Sequence, residues 1–258
     1  MSKIEKNIRE LLLEILAKLS EGGVKSKNEI DNFWLKLNQL QARSQVEIRH
    51  IQFQGEGDPF DEHIVLHNRG ELTINISGWR IEAGSPDQTF IFPEGSFLLP
   101  DESLNVETLG NGQFSFDSNQ PIWNNRGDVA RLIDAQGALI SSFAYGNKAH
   151  QYVTISHIHV DGKKYRTEGD EFVELINLSE HRIDLDGWQL EAMGNRSRFV
   201  FQFGAKLEAF TGIKVFTQKS PLEADEYSFD STVAIWNNQS GGCRLLDYQN
   251  SEVSSYHY

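Results

Sequence analysis

Cysteine is almost missing. Cys243 is the only one in 258 residues, so no internal disulfide braces the chain and no multi-cysteine zinc site can form. A reducing interior is compatible with that usage. Long apolar runs are missing too, and none approaches the ~20 residues that cross a bilayer. The opening residues, Met1-Ser2-Lys3-Ile4-Glu5-Lys6, are charged and lack a small-residue cleavage site. The expectation is a cytoplasmic chain with no signal peptide and no membrane span. Positive charge is in deficit: 24 Lys and Arg stand against 37 Asp and Glu, for a net charge of −13. The deficit is uneven, with net +2 over residues 1–45, −10 over 46–146 and −5 over 147–258. An acidic body repels phosphate backbones and anionic lipid at long range, which disfavours nucleic acid as the main partner.

The motifs of nucleophilic and metal-dependent enzymes are missing as well. There is no Gly-x-Ser-x-Gly elbow, no phosphate-cradling Gly loop ending in Lys-Ser/Thr, and no His-Glu-x-x-His. Cys243 follows Trp236 at a strand position matching Ala130, which reads as a small buried thiol. His157 and His159 alternate on a strand and so face one side. With no third ligand nearby they read as a surface pair, because zinc takes at least three protein ligands. Acidic loops at Glu56, Asp58, Asp61 and Glu62, and at Glu168, Asp170 and Glu171, lack the spacing of an EF-hand and read as solvated loops. No catalytic residue, metal or cofactor is expected, and the protein reads as a non-enzyme.

What the chain does have is a repeat. Asp170 to Ala192 reads as a strand from Phe172 to Leu178, a polar turn, an apolar hook at Ile183 and Leu185, then Gly187-Trp188 opening a second strand. Asp61 to Leu66 and Gly78 to Ala83 repeat it, with Trp79 and Trp188 at an offset of 109. The offset starts at 107, between His50 and His157, and ends at 113, between Trp123 and Trp236, so the second copy gained six residues in loops. Seven or more short strands per copy with turn residues between them predict an antiparallel sandwich of immunoglobulin type. Trp79, Trp123, Trp188 and Trp236 recur at equivalent places and are expected in the two cores.

Ahead of the repeat, residues 2–20 predict an amphipathic helix, capped by Ser2 with Glu5 and ended by Gly22-Gly23. Ile4, Ile8, Leu11, Leu12, Ile15 and Leu19 form its apolar stripe. A second helix opens at the Ser26–Glu29 box and runs to about Arg43, striped by Phe33, Trp34 and Leu37. The fold class is thus mainly β: two immunoglobulin-like antiparallel sandwiches in tandem, residues 46–147 and 152–258, preceded by an α-helical hairpin, residues 1–45. The stripe is wider than one partner helix covers, which marks the hairpin as a docking or self-association surface.

The repeated residues resemble the lamin tail domain, in its bacterial form. The most specific pieces are Phe172-Val-Glu-Leu-Ile-Asn177 with Asp184-Leu-Asp-Gly-Trp188. To these add Ile122-Trp-Asn-Asn-Arg-Gly-Asp-Val-Ala-Arg-Leu132 followed by Asp134-Ala-Gln-Gly137. The first copy departs at Val65, where the pattern has Glu, and the second at Ser240-Gly241-Gly242. The resemblance implies the immunoglobulin-like fold and an interaction platform for proteins and, in part, DNA; it supplies no catalytic residue. The expected function is a non-enzymatic scaffold or adaptor, a structural subunit of a larger assembly. Its helical head would dock on a protein partner or on a second copy of the chain. The alternatives are a nucleic-acid-binding module and an accessory subunit of a separately encoded hydrolase or nuclease.

Overall fold

The computed structural model describes residues 10, 13–15, 17–18, 27–54, 61–85, 88–110, 112–164, 168–195, 197–220 and 222–258. Of the expected first helix, Leu13 to Ile15 with Glu10, Ala17 and Lys18 are described, and all are helical. Its capping box and its closing glycines lie outside the described residues. The second helix, α1, spans Lys27–Gln45. It holds no Gly or Pro in its 19 residues, and it stops where Val46 begins a period-two alternation. The last carbonyls of a helix have no partner within it. Here Arg69 takes them: Nε and Nη2 donate to the Ser44 carbonyl at 3.0 and 2.9 Å, and its backbone N–H donates to Gln45 at 2.9 Å. The guanidinium also meets the negative end of the helix dipole.

Nineteen strands follow among the described residues. The first nine are β1 (Val46–Gln52), β2 (His63–Asn68), β3 (Ile74–Asn75), β4 (Arg80–Glu82), β5 (Thr89–Ile91), β6 (Phe97–Leu98), β7 (Ser103–Glu107), β8 (Val129–Ile133) and β9 (Leu139–Ala144). After two 3₁₀ turns, Gly146–Lys148 and His150–Tyr152, come β10 (Val153–His159), β11 (Phe172–Asn177), β12 (Arg182–Asp184), β13 (Gln189–Ala192) and β14 (Arg198–Val200). The last are β15 (Lys206–Leu207), β16 (Gly212–Phe216), β17 (Glu226–Ser228), β18 (Gly242–Leu246) and β19 (Glu252–His257). The chain divides into two compact units, residues 1–122 with 131–141 and residues 123–130 with 142–258.

In the first unit β2 lies between β1 and β7, β3 pairs with β6, and β4 lies between β5 and β8, all antiparallel. In the second, β11 lies between β10 and β16, β12 pairs with β15, and β13 lies between β14 and β18. The topology is one pattern used twice. Even its irregularity recurs: the register slips between Ile48 and His50 on β1, and between Ile155 and His157 on β10. A bulge of this kind bends the strand. Beside each slip a serine hydroxyl takes a backbone N–H, Ser141 from Ile48 at 3.0 Å and Ser254 from Ile155 at 3.1 Å.

The alternation decides what is inside. Ile64 and Leu66 on β2 and Val173 and Leu175 on β11 are buried, while their neighbours along the strand are half-buried. Trp79, Trp123, Trp188 and Trp236 are all buried, and Trp188 and Trp236 belong to the apolar cluster of the second unit. Burying a side chain of that size contributes roughly 1.5–3 kcal/mol or more. Gly78 and Gly187, at φ +73° and +72°, turn the chain just before the first tryptophan of each copy, a conformation that a Cβ disfavours.

Candidate functional site

Internal duplication offers a control for locating function. Side chains with the same contacts in both copies serve the fold, and places where the copies differ are where one copy acquired something of its own.

Three polar devices belong to the first kind. Asn68 Nδ2 donates to the carbonyls of Leu72, Leu98 and Leu99 at 2.7, 3.2 and 3.0 Å, and Asn177 Nδ2 donates to those of His181, Leu207 and Glu208 at 2.6, 3.3 and 3.0 Å. Asp134 and Asp247 each accept two N–H groups of the following hairpin turn. Glu62 Oε2 accepts from Thr108 Oγ1 at 3.2 Å and from the Ile122 N–H at 2.9 Å; Glu171 Oε2 accepts from Thr217 Oγ1 at 3.0 Å and the Ile235 N–H at 3.2 Å. The sequence reading placed Glu62 and Glu171 in solvated loops. They are buried instead, because each ties the start of a central strand to a distant loop.

Burial pushes the Glu171 carboxyl up to about 7, against the opposing hydrogen bonds from the Ile235 N–H, the Thr217 hydroxyl and the Trp236 N–H. A carboxyl near neutrality is the common mark of a catalytic acid. Here the group is fully buried and reproduced by Glu62, so it is a clamp of the fold. Cys243 is buried too, and desolvation pushes its thiol up to about 12, the opposite of an activated nucleophile. Asp170 also feels burial, but the N–H groups of Lys163 and Lys164, at 2.9 and 3.0 Å, outweigh it and hold the carboxyl below its usual range.

The surfaces are of the second kind. On the solvent side of β10, β11 and β16, His159 stacks on Phe172 with ring centroids 5.3 Å apart, and His157 lies 6.5 Å from His159. Lys214 Nζ sits 4.8 Å from the centre of Phe172, and Lys219 Nζ 4.5 Å from that of Phe216. Lys219 also pairs with Glu226. The ammonium groups lie over the ring faces and their stems cover them. In the first copy this face carries His50, Gln52, His63, Asn105 and Glu107 at the matching places, without the aromatic ladder.

The helical stripe divides. Ile4, Ile8, Leu11, Leu12 and Leu19 lie outside the described residues. Ile15 is half-buried, and Leu13, which the stripe did not include, is exposed. On α1, Phe33 and Leu37 are half-buried, one turn apart on one face. Trp34 is 54% exposed and Leu35 is exposed beside it, with the Phe33 and Trp34 rings 5.5 Å apart. Successive helical residues point about 100° apart. Trp34 therefore leaves the face that Phe33 and Leu37 share. It is the one tryptophan of the five that is not in a core.

A shallow cavity of ≈ 330 Å³ opens on the second unit, walled by Phe199, Gln202, Phe203, Leu222, Tyr227 and Asp230. No sequence reading singled it out. The signal was present as a difference between copies. Phe203 stands where the first copy has Glu94, and Leu222 comes from a loop four residues longer than its counterpart between Thr108 and Phe114.

Two immunoglobulin-like sandwiches built on one duplicated pattern, with buried tryptophans and buried polar clamps, define the class of β-module. The Lamin Tail Domain family matches the chain twice, over residues 39–147 and 146–258, and the chain belongs to that family. A comparison with curated proteins gives no match. Among solved structures, the archaellum periplasmic stator protein FlaG from Sulfolobus acidocaldarius is 17% identical over 39% of this chain and 97% of its own, at a TM-score of 0.26. The FlaF and FlaG stator complex of that organism gives 18% identity, 39% and 87% coverage, and a TM-score of 0.25. The YadV chaperone gives 7%, 76% and 90%, with a TM-score of 0.23. Among the described residues, no helix is long and apolar enough to cross a membrane.

Proposed function

We propose that this lamin tail domain protein is a non-enzymatic scaffold. In this reading its two sandwiches, residues 46–147 and 152–258, are the body, and the helical segment in residues 1–45 is the grip, docking on a protein partner or a second copy. The observation that supports this most is Trp34. A large apolar ring that stands in water costs the free energy its burial would recover, and exposed apolar groups grouped on one helix mark docking surfaces. Tyrosine, tryptophan and arginine are the side chains on which interfaces depend most. The segment is also the one with net positive charge in an acidic chain, so its electrostatic field differs from that of the body it is attached to.

The test is a comparison of the parent with Trp34→Ala in the full chain, measured by sedimentation and by co-purification. Loss of at least tenfold in the affinity of every complex the parent forms, with the thermal melt unchanged, is the expected result. If Trp34→Ala forms the same complexes at the same concentrations, the grip is elsewhere.

A further inference from the structure

We infer that the hollow on the second unit is a receptor for a methylated ammonium group, held between the rings that line it and the carboxylate of Asp230. The site uses no residue of the helical segment, so its failure leaves the scaffold reading intact.

The rings make the walls. Phe199, Phe203 and Tyr227 line a hollow of ≈ 330 Å³, at the small end for a ligand site and suited to one compact group. The Phe199 and Tyr227 planes are inclined at 62° with centroids 5.8 Å apart, so the two form a corner and not a flat wall. Behind them the buried Phe201 meets both edge-on, at 4.9 and 5.2 Å. That support fixes the corner before a ligand arrives, which lowers the cost of binding. The first copy has the equivalent rings Phe90, Phe92 and Phe114, but Glu94 where the second has Phe203 and Ser77 where it has Asp186.

The charge of the lining is negative and unanswered. Among the described residues, no Lys or Arg pairs with the Asp230 carboxylate, and the cations on neighbouring strands are spent elsewhere. Lys206 lies 2.7 Å from Asp184 and 3.7 Å from Asp186, Arg198 lies 3.3 Å from Glu191, and Lys219 pairs with Glu226. Burial, and after it the Asp186 carboxylate, hold the Tyr227 phenol above its ordinary value, so the negative field reaches the rings. A cation lodged there is attracted by the ring faces as well as by the carboxylate.

The hydrogen-bonding groups select the kind of cation. Ser228 Oγ already takes the N–H groups of Lys219 and Asp230 at 3.3 and 3.0 Å, and the Gln202 amide donates to the Val200 carbonyl at 3.0 Å. A bare ammonium or a guanidinium brings N–H donors on several sides, and a lining with one free carboxylate leaves most of them unmatched. A methylated ammonium brings few or none, and its methyl groups are apolar surface that the rings cover. A phosphate next to the cation is disfavoured, because Glu223 and Asp225 follow Leu222 on the rim and residues 147–258 carry net −5.

The experiment is an NMR chemical-shift titration of the full chain with choline, with the uncharged dimethylbutanol of the same shape, with ethanolamine and with phosphocholine. Choline is expected to move the signals of Phe199, Tyr227 and Asp230 together and to saturate, with the other three compounds weaker by roughly fivefold or more. Asp230→Asn alters an exposed side chain, and Asn tolerates its left-handed backbone at φ +55°. It should leave the thermal melt unchanged and weaken choline roughly two- to fivefold. A neutral peptide carrying trimethyl-lysine tells the source of the group: tighter binding than choline assigns it to a protein side chain, and weaker binding to a free small cation. Signals that stay in place at every choline concentration overturn the inference. So does any of the three control compounds binding as tightly as choline, for then the charge, the methyl groups or the acidic rim selects nothing. An Asp230→Asn variant that binds choline like the parent removes the carboxylate from the site and overturns it as well.

Discussion

Glu171 shows how one atom's surroundings set a property of the whole chain. The unfolded chain gives up this proton near 4.5 and the folded chain only near 7. The folded state therefore holds the proton more tightly, and the stability it confers is complete below about pH 4.5 and lost as pH rises through 7. The difference is on the order of 3 kcal/mol at pH 8. Glu171→Gln keeps an oxygen for Thr217 and Ile235 and has no charge to desolvate. It should match the parent in chemical denaturation at pH 4.5 and exceed it by roughly 2–3 kcal/mol at pH 8; parallel stability curves for the two would show that Glu171 does not titrate in this range. Phe210 is a second residue-scale case. It holds φ +55° in the left-handed region where the first copy has Asp101 at +56°, and its ring is exposed. A bulky side chain there costs about 1–2 kcal/mol relative to glycine. Phe210→Gly should raise the unfolding free energy by about 1 kcal/mol, read as a higher midpoint in urea at unchanged slope, after the extra chain entropy of glycine is set against the relieved strain.

Among elements, the duplication was legible because strands impose period two and turns impose glycine, so two copies of one pattern align over a hundred residues. Gly78-Trp79 and Gly187-Trp188 already marked the same strand in each copy, and both tryptophans are buried. The clamps were not legible, since Glu171 in sequence is one acid among Glu168, Asp170 and Glu171. Only the hydrogen bonds to Thr217 and Ile235, 46 and 64 residues away, separate it from its half-buried neighbours. Nor could heptad-like spacing place Trp34, because Phe33, Trp34 and Leu37 all satisfy the stripe. Which of them faces the body depends on where α1 is fastened, and Arg69 does that through Ser44 and Gln45. The contrast between elements is measurable. Trp188→Ala on the buried side of β13 should cost roughly 3–5 kcal/mol, the usual price of emptying so large a site. Trp34→Ala on α1 should cost less than about 1 kcal/mol. Urea titrations of the two variants that gave equal losses would mean that Trp34 is part of a core.

For the whole molecule, the repeat in the sequence and the unit that folds have different limits. The family match begins its second copy at residue 146, yet the second compact unit also takes in residues 123–130 and 142–145. The contacts explain why. Phe143 and Ala144 pair in parallel with Arg182 and Ile183 of β12, and Ala144 is fully buried in the cluster around Trp188. The hydroxyl of Ser142, itself buried, donates to the Ala130 carbonyl at 3.0 Å and bonds to Nδ1 of His181 at 2.6 Å. Tyr248 donates its phenol to the Asn125 carbonyl at 2.7 Å. A fragment of residues 152–258, cut where the duplication alone would suggest, leaves the edge of β12 unpaired, His181 without its buried partner and part of the apolar cluster in water. Each loss is on the order of 1–3 kcal/mol, which together is comparable to the stability of a domain of this size. A fragment of residues 123–258 retains the whole β8–β9 hairpin and all of these contacts. The longer fragment should melt in one cooperative transition followed by circular dichroism, and the shorter should melt at least ten degrees lower or fail to fold. Equal melting of the two would mean that residues 123–151 add nothing to the second unit, and that the limits of the repeat are the limits of the fold.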